Sequence, residues 1–339
     1  MKFFRYLIVA ALSFFVSATA GAEVTKVKLG TMAPDGSPWD ESLELMSKNL
    51  QQATGGQFRW QIFPGGQLGD EIQMVESTQI GAIECSGIST GALANLVPSM
   101  QVFEIPFYWK SREEAYYVID NYFRDFFAKE VEKIGLVLLG WSENGWRHFF
   151  IKGDRKVRTP DDLKGLRMRT QESPVHIAFW KALGVNPIPL ATTEIYQALE
   201  RGIIDGGDNT LVLIMATGWA EIINEVTLSG HIYQPAVMVC NKGWWDTVSK
   251  QHQQVFYSMM REAEKDMRGR LLKAERELAD VIKSMGREVI ELTPQEREQF
   301  RARTAGIAND PKIRAMIGAE ALRLAEQGKA EYRKQHGEK

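Results

Sequence analysis

The sequence predicts an α/β protein built as two units, each a mostly parallel sheet flanked by helices, with one long helix bridging them. Three observations carry this. Short apolar runs alternate with amphipathic stretches from Val27 to Ile88 in the order β-α-β-α-β, which places successive strands parallel beneath crossover helices. The same alternation restarts near residue 145. An apolar stripe from Val255 to Met285 then marks a single helix over 251–285, roughly 50 Å long at ~1.5 Å per residue and so longer than one domain of this size is wide.

The chain opens with a segment of another kind. Lys2 and Arg5 precede an apolar run from Tyr6 to Val16, and Ala18-Thr19-Ala20 and Ala20-Gly21-Ala22 follow as small-residue patterns. This reads as a secretory leader over 1–22, cut after Ala22. The run is too short for a membrane anchor, which needs about 20 residues. No Cys follows the cut and no later stretch is long and apolar enough to span, so no stable membrane insertion is expected. Without the leader the net charge moves from −2 to −4, which argues against nucleic acid as a partner. Cys85 and Cys240 each lie in a strand-like apolar run. Two buried free thiols are expected, although an oxidising compartment would also permit a disulfide.

Along the mature chain, Val27 to Gly30 is a strand. Ser37 caps the following helix, with Pro38 at its first position and Asp40 completing a capping box. Trp39, Leu43, Met46 and Leu50 fall on one helical face. Strand 57–63, a Pro64-Gly65-Gly66 turn, helix 70–80 and buried strand 83–88 follow. An apolar strand at 135–141 leads into Ser142-Glu143-Asn144-Gly145, a polar turn that ends the first unit. The second unit brings a helical turn at 159–165, strand 166–170, helix 173–183, helix 192–201 and a short strand at 203–206. A long strand-like run, 231–240, returns the chain to the first unit. From Pro311 the tail is helical and charged.

Enzymatic chemistry finds little support. His148, His176, His231, His252 and His336 show no ligand spacing, and no glycine-rich phosphate loop occurs, so neither metal nor cofactor is expected. Gly87-Ile88-Ser89-Thr90-Gly91 has the form of a serine-hydrolase nucleophile elbow after a strand, with Asp205 and His231 later in the required order. The HGGG-type oxyanion segment is missing and the chain before Gly87 is too short for a hydrolase sheet. A strand-to-loop turn whose small residues face a cleft accounts for the motif better. Anion binding is the other candidate. Arg147 follows the polar turn at the junction of the units. In the strand Leu166-Arg167-Met168-Arg169-Thr170, alternation sets both arginines on one face. Asn209 lies in a glycine-loosened loop where ligands bind in α/β sheets. A buried guanidinium needs a partner, and a carboxylate matches its planar fork.

Arg169 and Asn209 fall within a series of ordered motifs: Phe63 to Asp70 (FPGGQLGD), Gly91 to Pro98 (GALANLVP), Ile105 to Phe107 (IPF), Asp162 to Arg169 (DLKGLRMR), Glu194 to Leu199 (EIYQAL), and Asp205-Gly206 with Asn209. Through them the chain resembles the DctP-like solute-binding proteins of TRAP (tripartite ATP-independent periplasmic) transporters, from about Val27 to Ala308. The resemblance implies a two-lobed periplasmic receptor, not an enzyme, which closes on a small organic acid. It would deliver that acid to a membrane permease of small and large subunits driven by an ion gradient. The first lobe would comprise 23–144 with about 235–274, the second 145–234 with about 275–330, and 331–339 would be a charged tail. Arg169 would form the paired salt bridge to the ligand carboxylate, with Arg147 and Asn209 supporting. Where sialic-acid receptors carry an acidic and a basic residue, this chain has Ser89 and Ala92, so sialate is not expected. Asp208 and Thr210 also depart from the family's loop. Ser89, Thr90, Ala92 and Phe107 suggest a modest, partly apolar acid. Trp39, Trp146, Tyr233 and Trp219 are candidate pocket walls or core packing. A monomer is expected; an ABC-type receptor or sensor ectodomain is the remaining alternative.

Overall fold

The computed structural model describes residues 24–337, so the expected leader and its cleavage site lie outside the described residues. The first half follows the predicted order, β1 (Thr25–Thr31), α1 (Pro38–Ala53), β2 (Phe58–Phe63), α2 (Glu71–Gln79) and β3 (Cys85–Ser89), and a short helix α3 (Thr90–Leu93) stands where a loop was expected. β1 sits between β2 and β3, parallel to both. The Ser37 hydroxyl accepts the Asp40 N–H at 3.3 Å, while the Asp40 carboxylate turns back to the Gly36 N–H at 3.0 Å rather than to Ser37. Next come α4 (Arg112–Val118), a π-helical stretch at Ile119–Phe123, α5 (Arg124–Glu132) and β4 (Leu136–Ile151).

β4 corrects the expected polar turn. Residues 142–145 lie inside one continuous strand of 16 residues, because their backbone is paired along β8 (Glu225–Asn241). Residues 234 and 235 likewise fall inside a strand, β8. Between these two strands the chain forms β5 (Arg169–Thr170), α6 (Pro174–Ala182), β6 (Ile188–Pro189), α7 (Ile195–Glu200), β7 (Gly206–Asn209) and α8 (Leu211–Ala216). The strand expected over 166–170 is reduced to two residues, and the one expected at 203–206 begins only at Gly206. The sheet order is β2-β1-β3-β8-β4-β7, with β8 antiparallel to β3 and β4. β5 and β6 pair in parallel and adjoin β7 through a Met168–Gly206 bridge.

After β8 come α9 (Lys242–Thr247), α10 (Lys250–Ser284), β9 (Glu288–Glu291), α11 (Pro294–Thr304), α12 (Pro311–Ile317) and α13 (Ala319–Gln335). α10 is the bridging helix that its stripe predicts. Phe256 and Met260 enter the core beneath β1–β3, and Met267 and Leu271 pack with Trp39 and Val212. Ile282 joins the separate core around Phe150 and Trp219. The tail from Pro311 is helical, as expected. α13 packs on α4 and the π-helical stretch, burying Ala325 and Tyr332. Gly328 permits this, since a Cβ there would lie 2.8 Å from Tyr122.

The expectation of free thiols is also corrected. Cys85 and Cys240 face each other across the antiparallel β3–β8 pair and form a disulfide. The pairing is set by strand register, which neither local sequence carries.

Candidate functional site

A cleft with an empty volume of about 910 Å³, open solvent at its mouth included, lies where β1, β3, β4, β8, α1 and α10 meet. Arg169, Arg147, Asn209, Ser89 and Trp39 line it.

Arg147 reaches the cleft through a β-bulge. Ser142 and Asn144 line the cleft from even positions of β4, whereas Arg147 does so from an odd one. The register against β8 shifts between Glu143 and Gly145, and an extra residue in one strand reverses side-chain parity beyond it. Gly145 sits at φ +107°, where L side chains are strained, and a Cβ would collide with the Glu275 carboxylate. That carboxylate instead accepts the Trp146 N–H at 3.2 Å. Arg112 ties the bulge to the helix by pairing with both Glu143 and Glu275.

Once there, Arg147 is neutralised. Its Nε donates to Asp208 Oδ2 at 2.6 Å, Nη2 to the Asp208 carbonyl at 2.6 Å and Nη1 to Gln234 at 2.9 Å. Burial alone would raise the Asp208 carboxyl, but Arg147 and His231 outweigh it and hold it well below the usual carboxylate range.

Arg169 is held differently. Gly207 lets the β5 backbone approach closely, since a Cβ there would lie 3.2 Å from the Arg169 Cβ. Nε and Nη2 both donate to the Leu190 carbonyl, at 2.9 and 2.7 Å, and Nη2 also lies 3.4 Å from the Thr192 hydroxyl. Among the described residues no carboxylate pairs with this guanidinium, and Nη1 makes no hydrogen bond. Arg169 is only 2% exposed. Burial, with help from Arg147, pulls it down to about 10. It stays charged at neutral pH, so the cleft holds one desolvated cation without a counter-ion. Arg167, which alternation places on the same face, is exposed and spent on Asp205 at 2.6 Å. Asn209 Oδ1 accepts the Thr210 N–H at 2.9 Å, which leaves the amide NH₂ without a partner among the described residues.

Other cleft residues carry no motif that flagged them. Gln171 lies two residues past Arg169 and shares its face, a period-two signal that would have found it. Its Nε2 donates to the Ser89 hydroxyl at 3.2 Å, and Gln234 Nε2 donates to Gln171 Oε1 at 2.9 Å. Gly91 leaves room for both amides, since a Cβ there would lie 2.8 Å from each. Glu71 accepts the Ser89 N–H and hydroxyl at 2.6 and 2.9 Å. Burial and Asp70 push its carboxyl up to about 7 against the opposing pull of Ser89 and Arg169.

The remaining sequence candidates do not line the cleft. Thr90 is buried beneath it, donating to Glu104 at 2.9 Å. Ala92 is core. Phe107 packs under the Arg297 guanidinium, 5.0 Å from the ring centroid. Trp146 and Tyr233 stack edge to face at 5.3 Å; each adjoins a cleft residue in its strand and therefore points to the opposite face. Trp219 packs on Phe150.

The nucleophile-elbow reading fails on geometry. The Ser89 hydroxyl donates to Glu71 and caps Ala92 N–H. His231 is fully buried between Phe149 and Phe179 at 4.6 Å, and Asp205 pairs with Arg167. Burial lowers His231 to about 4, against the pull of Asp208, so the ring is neutral.

Residues 29–310 match the family of bacterial extracellular solute-binding proteins, family 7, DctP. The 2,3-diketo-L-gulonate-binding periplasmic protein of Escherichia coli K12 is 28% identical over 326 residues, covering 95% of this chain and 97% of that protein. A TRAP periplasmic solute-binding protein from Polaromonas sp. JS666, solved with D-erythronate, is 29% identical with a TM-score of 0.83, covering 90% of this chain and 98% of the other. A TRAP periplasmic solute-binding protein from Citrobacter koseri, solved with D-glucuronate, is 29% identical with a TM-score of 0.80, covering 88% of this chain and 99% of the other.

Proposed function

The chain belongs to the bacterial extracellular solute-binding proteins of family 7, and from that premise we propose that it captures a small carboxylate at Arg169. It is a TRAP-type solute receptor with two lobes, as its solved relatives are. The observation that carries the ligand reading is the buried Arg169 guanidinium, which lines the cleft with no carboxylate partner among the described residues and with Nη1 unbonded. A ligand carboxylate would take Nη1 and Nη2 together, a charge-assisted pair in a site shielded from water. Arg147, already neutralised by Asp208, would add orientation rather than net charge, and the free Asn209 amide would donate a further hydrogen bond. The lobes would hinge where β4, β8 and α10 cross, the first comprising 23–144 with about 235–274 and the second most of the rest. The loaded protein, a monomer freed of its leader in the periplasm, would hand the acid to the small and large subunits of a TRAP permease.

The deciding experiment is Arg169→Ala followed by titration calorimetry against acids that stabilise the mature protein in a thermal-shift screen. Truncating one partner of a buried charge pair costs about 2–5 kcal/mol, so binding should drop below detection while far-UV circular dichroism is unchanged. Normal binding by this variant would refute the assignment.

A further inference from the structure

The cleft's lining combines one open cation with apolar helix faces, and this deepens the proposed function by naming the body of the ligand. Arg169 is the sole lining cation without a counter-ion among the described residues, since Arg147, the other basic residue of the lining, is paired with Asp208. One carboxylate is therefore neutralised, and a second would be buried uncompensated.

Part of the wall is built from two helix faces. Trp39, Leu43 and Met46 stand at i, i+4 and i+7 of α1, and Met260 and Met267 on one face of α10, with Leu213 beside them. Trp39, Met46, Met260 and Met267 belong to the core and also line the cleft, so this part of the wall is apolar. The Trp39 Nε1–H is already spent on the Glu143 carbonyl at 2.8 Å, so this indole offers the cleft only ring surface. Among the described residues, Ser42 is the one polar side chain that these helices bring to the lining, too little to hydrate a polyol chain laid against them. A hydroxyl buried against thioether and isobutyl groups loses its water without replacement, whereas methionine adapts its shape to branched or aromatic surface.

We infer that the ligand is a monocarboxylate with a branched-alkyl or aromatic body, its carboxylate on Arg169 and its apolar part between α1 and α10. This rests on the carboxylate reading above.

The test is calorimetry on the mature protein with 4-methyl-2-oxopentanoate, phenylpyruvate, D-gluconate, D-glucuronate and succinate at one pH and ionic strength. Either apolar acid should bind at least tenfold more tightly than the sugar acids and succinate. Met267→Gln should erase that preference. Leu43→Asn, at a half-buried position, repeats the test if the first variant folds poorly. Sugar acids or succinate binding as tightly as the apolar acids would overturn the inference yet leave the carboxylate reading intact, provided Arg169→Ala still abolishes binding. Absence of binding by all five, or binding indifferent to Arg169→Ala, would overturn both.

Discussion

At the residue scale, Arg167 and Arg169 show what separates a surface ion pair from a binding group. Alternation in sequence places both on one face, yet Arg167 lies before the two-residue strand and meets Asp205 at the surface, while Arg169 is buried against a carbonyl. Exposed pairs contribute about 0–1 kcal/mol; a desolvated cation without a counter-ion is costly until an anion arrives. Glu71 adds a pH dependence. Its carboxyl, raised to about 7 by burial and Asp70, is neutral below that value and anionic above it. A bound anion cancels part of the favourable field of Arg169 and adds negative charge, so the complex holds the Glu71 proton more firmly than the empty cleft does. Binding therefore takes up a proton, and affinity should fall as pH rises through about 7. The expected loss between pH 6 and pH 8 is on the order of tenfold, one pKa unit being worth about 1.4 kcal/mol. Calorimetry across that range checks it, and Glu71→Gln should flatten the profile.

At the element scale, the bulge in β4 sets the site. Its extra residue moves Arg147 onto the face of Ser142 and Asn144, and Glu275 from α10 satisfies the backbone N–H that the bulge frees. Gly145→Ala would place a methyl group where that carboxylate lies, at a φ of +107°. The expected cost is about 2–4 kcal/mol of stability, from strain and loss of a buried hydrogen bond. Chemical denaturation should record it, with ligand affinity falling alongside. The helices and their caps were legible because they depend on neighbours within a few residues: the Ser37 cap, the stripe of α10 and the short helical turn after Thr159 all occur as read. The bulge was not. A run of Ser, Glu, Asn and Gly has the composition of a turn, and only pairing with β8 holds it extended.

At the scale of the whole molecule, the Cys85–Cys240 disulfide ties β3 to β8 across 155 residues of chain. Closing so long a loop restricts the unfolded state, and removal of a native disulfide typically costs about 2–5 kcal/mol. Cys85→Ser with Cys240→Ser should lower the melting temperature without changing the ligand preference. Buried titratable groups shape stability against pH as well. Burial raises Glu71 and Glu225 to about 7 and Glu143 to about 8. The folded state thus holds protons that the unfolded chain releases above about 4.5, and stability falls as pH climbs from there through 8. His148 and His231 are lowered by burial to about 3 and about 4. They oppose folding as pH drops below about 6.5, where the unfolded chain takes up protons. Melting temperatures of the ligand-free protein should peak at mildly acidic pH and decline on both sides, most visibly toward pH 8.5.

What the sequence determined by itself was local in cause: the order of strands and helices, their caps, the bridging helix, and the arginines and asparagine that the family's motifs single out. Periodicity and capping act over a turn or two, and a motif carries its residues in order. The tertiary structure decided partnership: which arginine is neutralised and which is left open, which cysteines meet, and which aromatic rings wall the cleft rather than fill the core. Thr90, Phe107, Trp146 and Tyr233 were candidates by type and position. Strand parity turned Trp146 and Tyr233 away from the cleft, and packing against Glu104 and Arg297 took Thr90 and Phe107. Charge compensation and facing depend on residues brought together from distant parts of the chain, and that information exists only once β4, β8 and α10 have crossed.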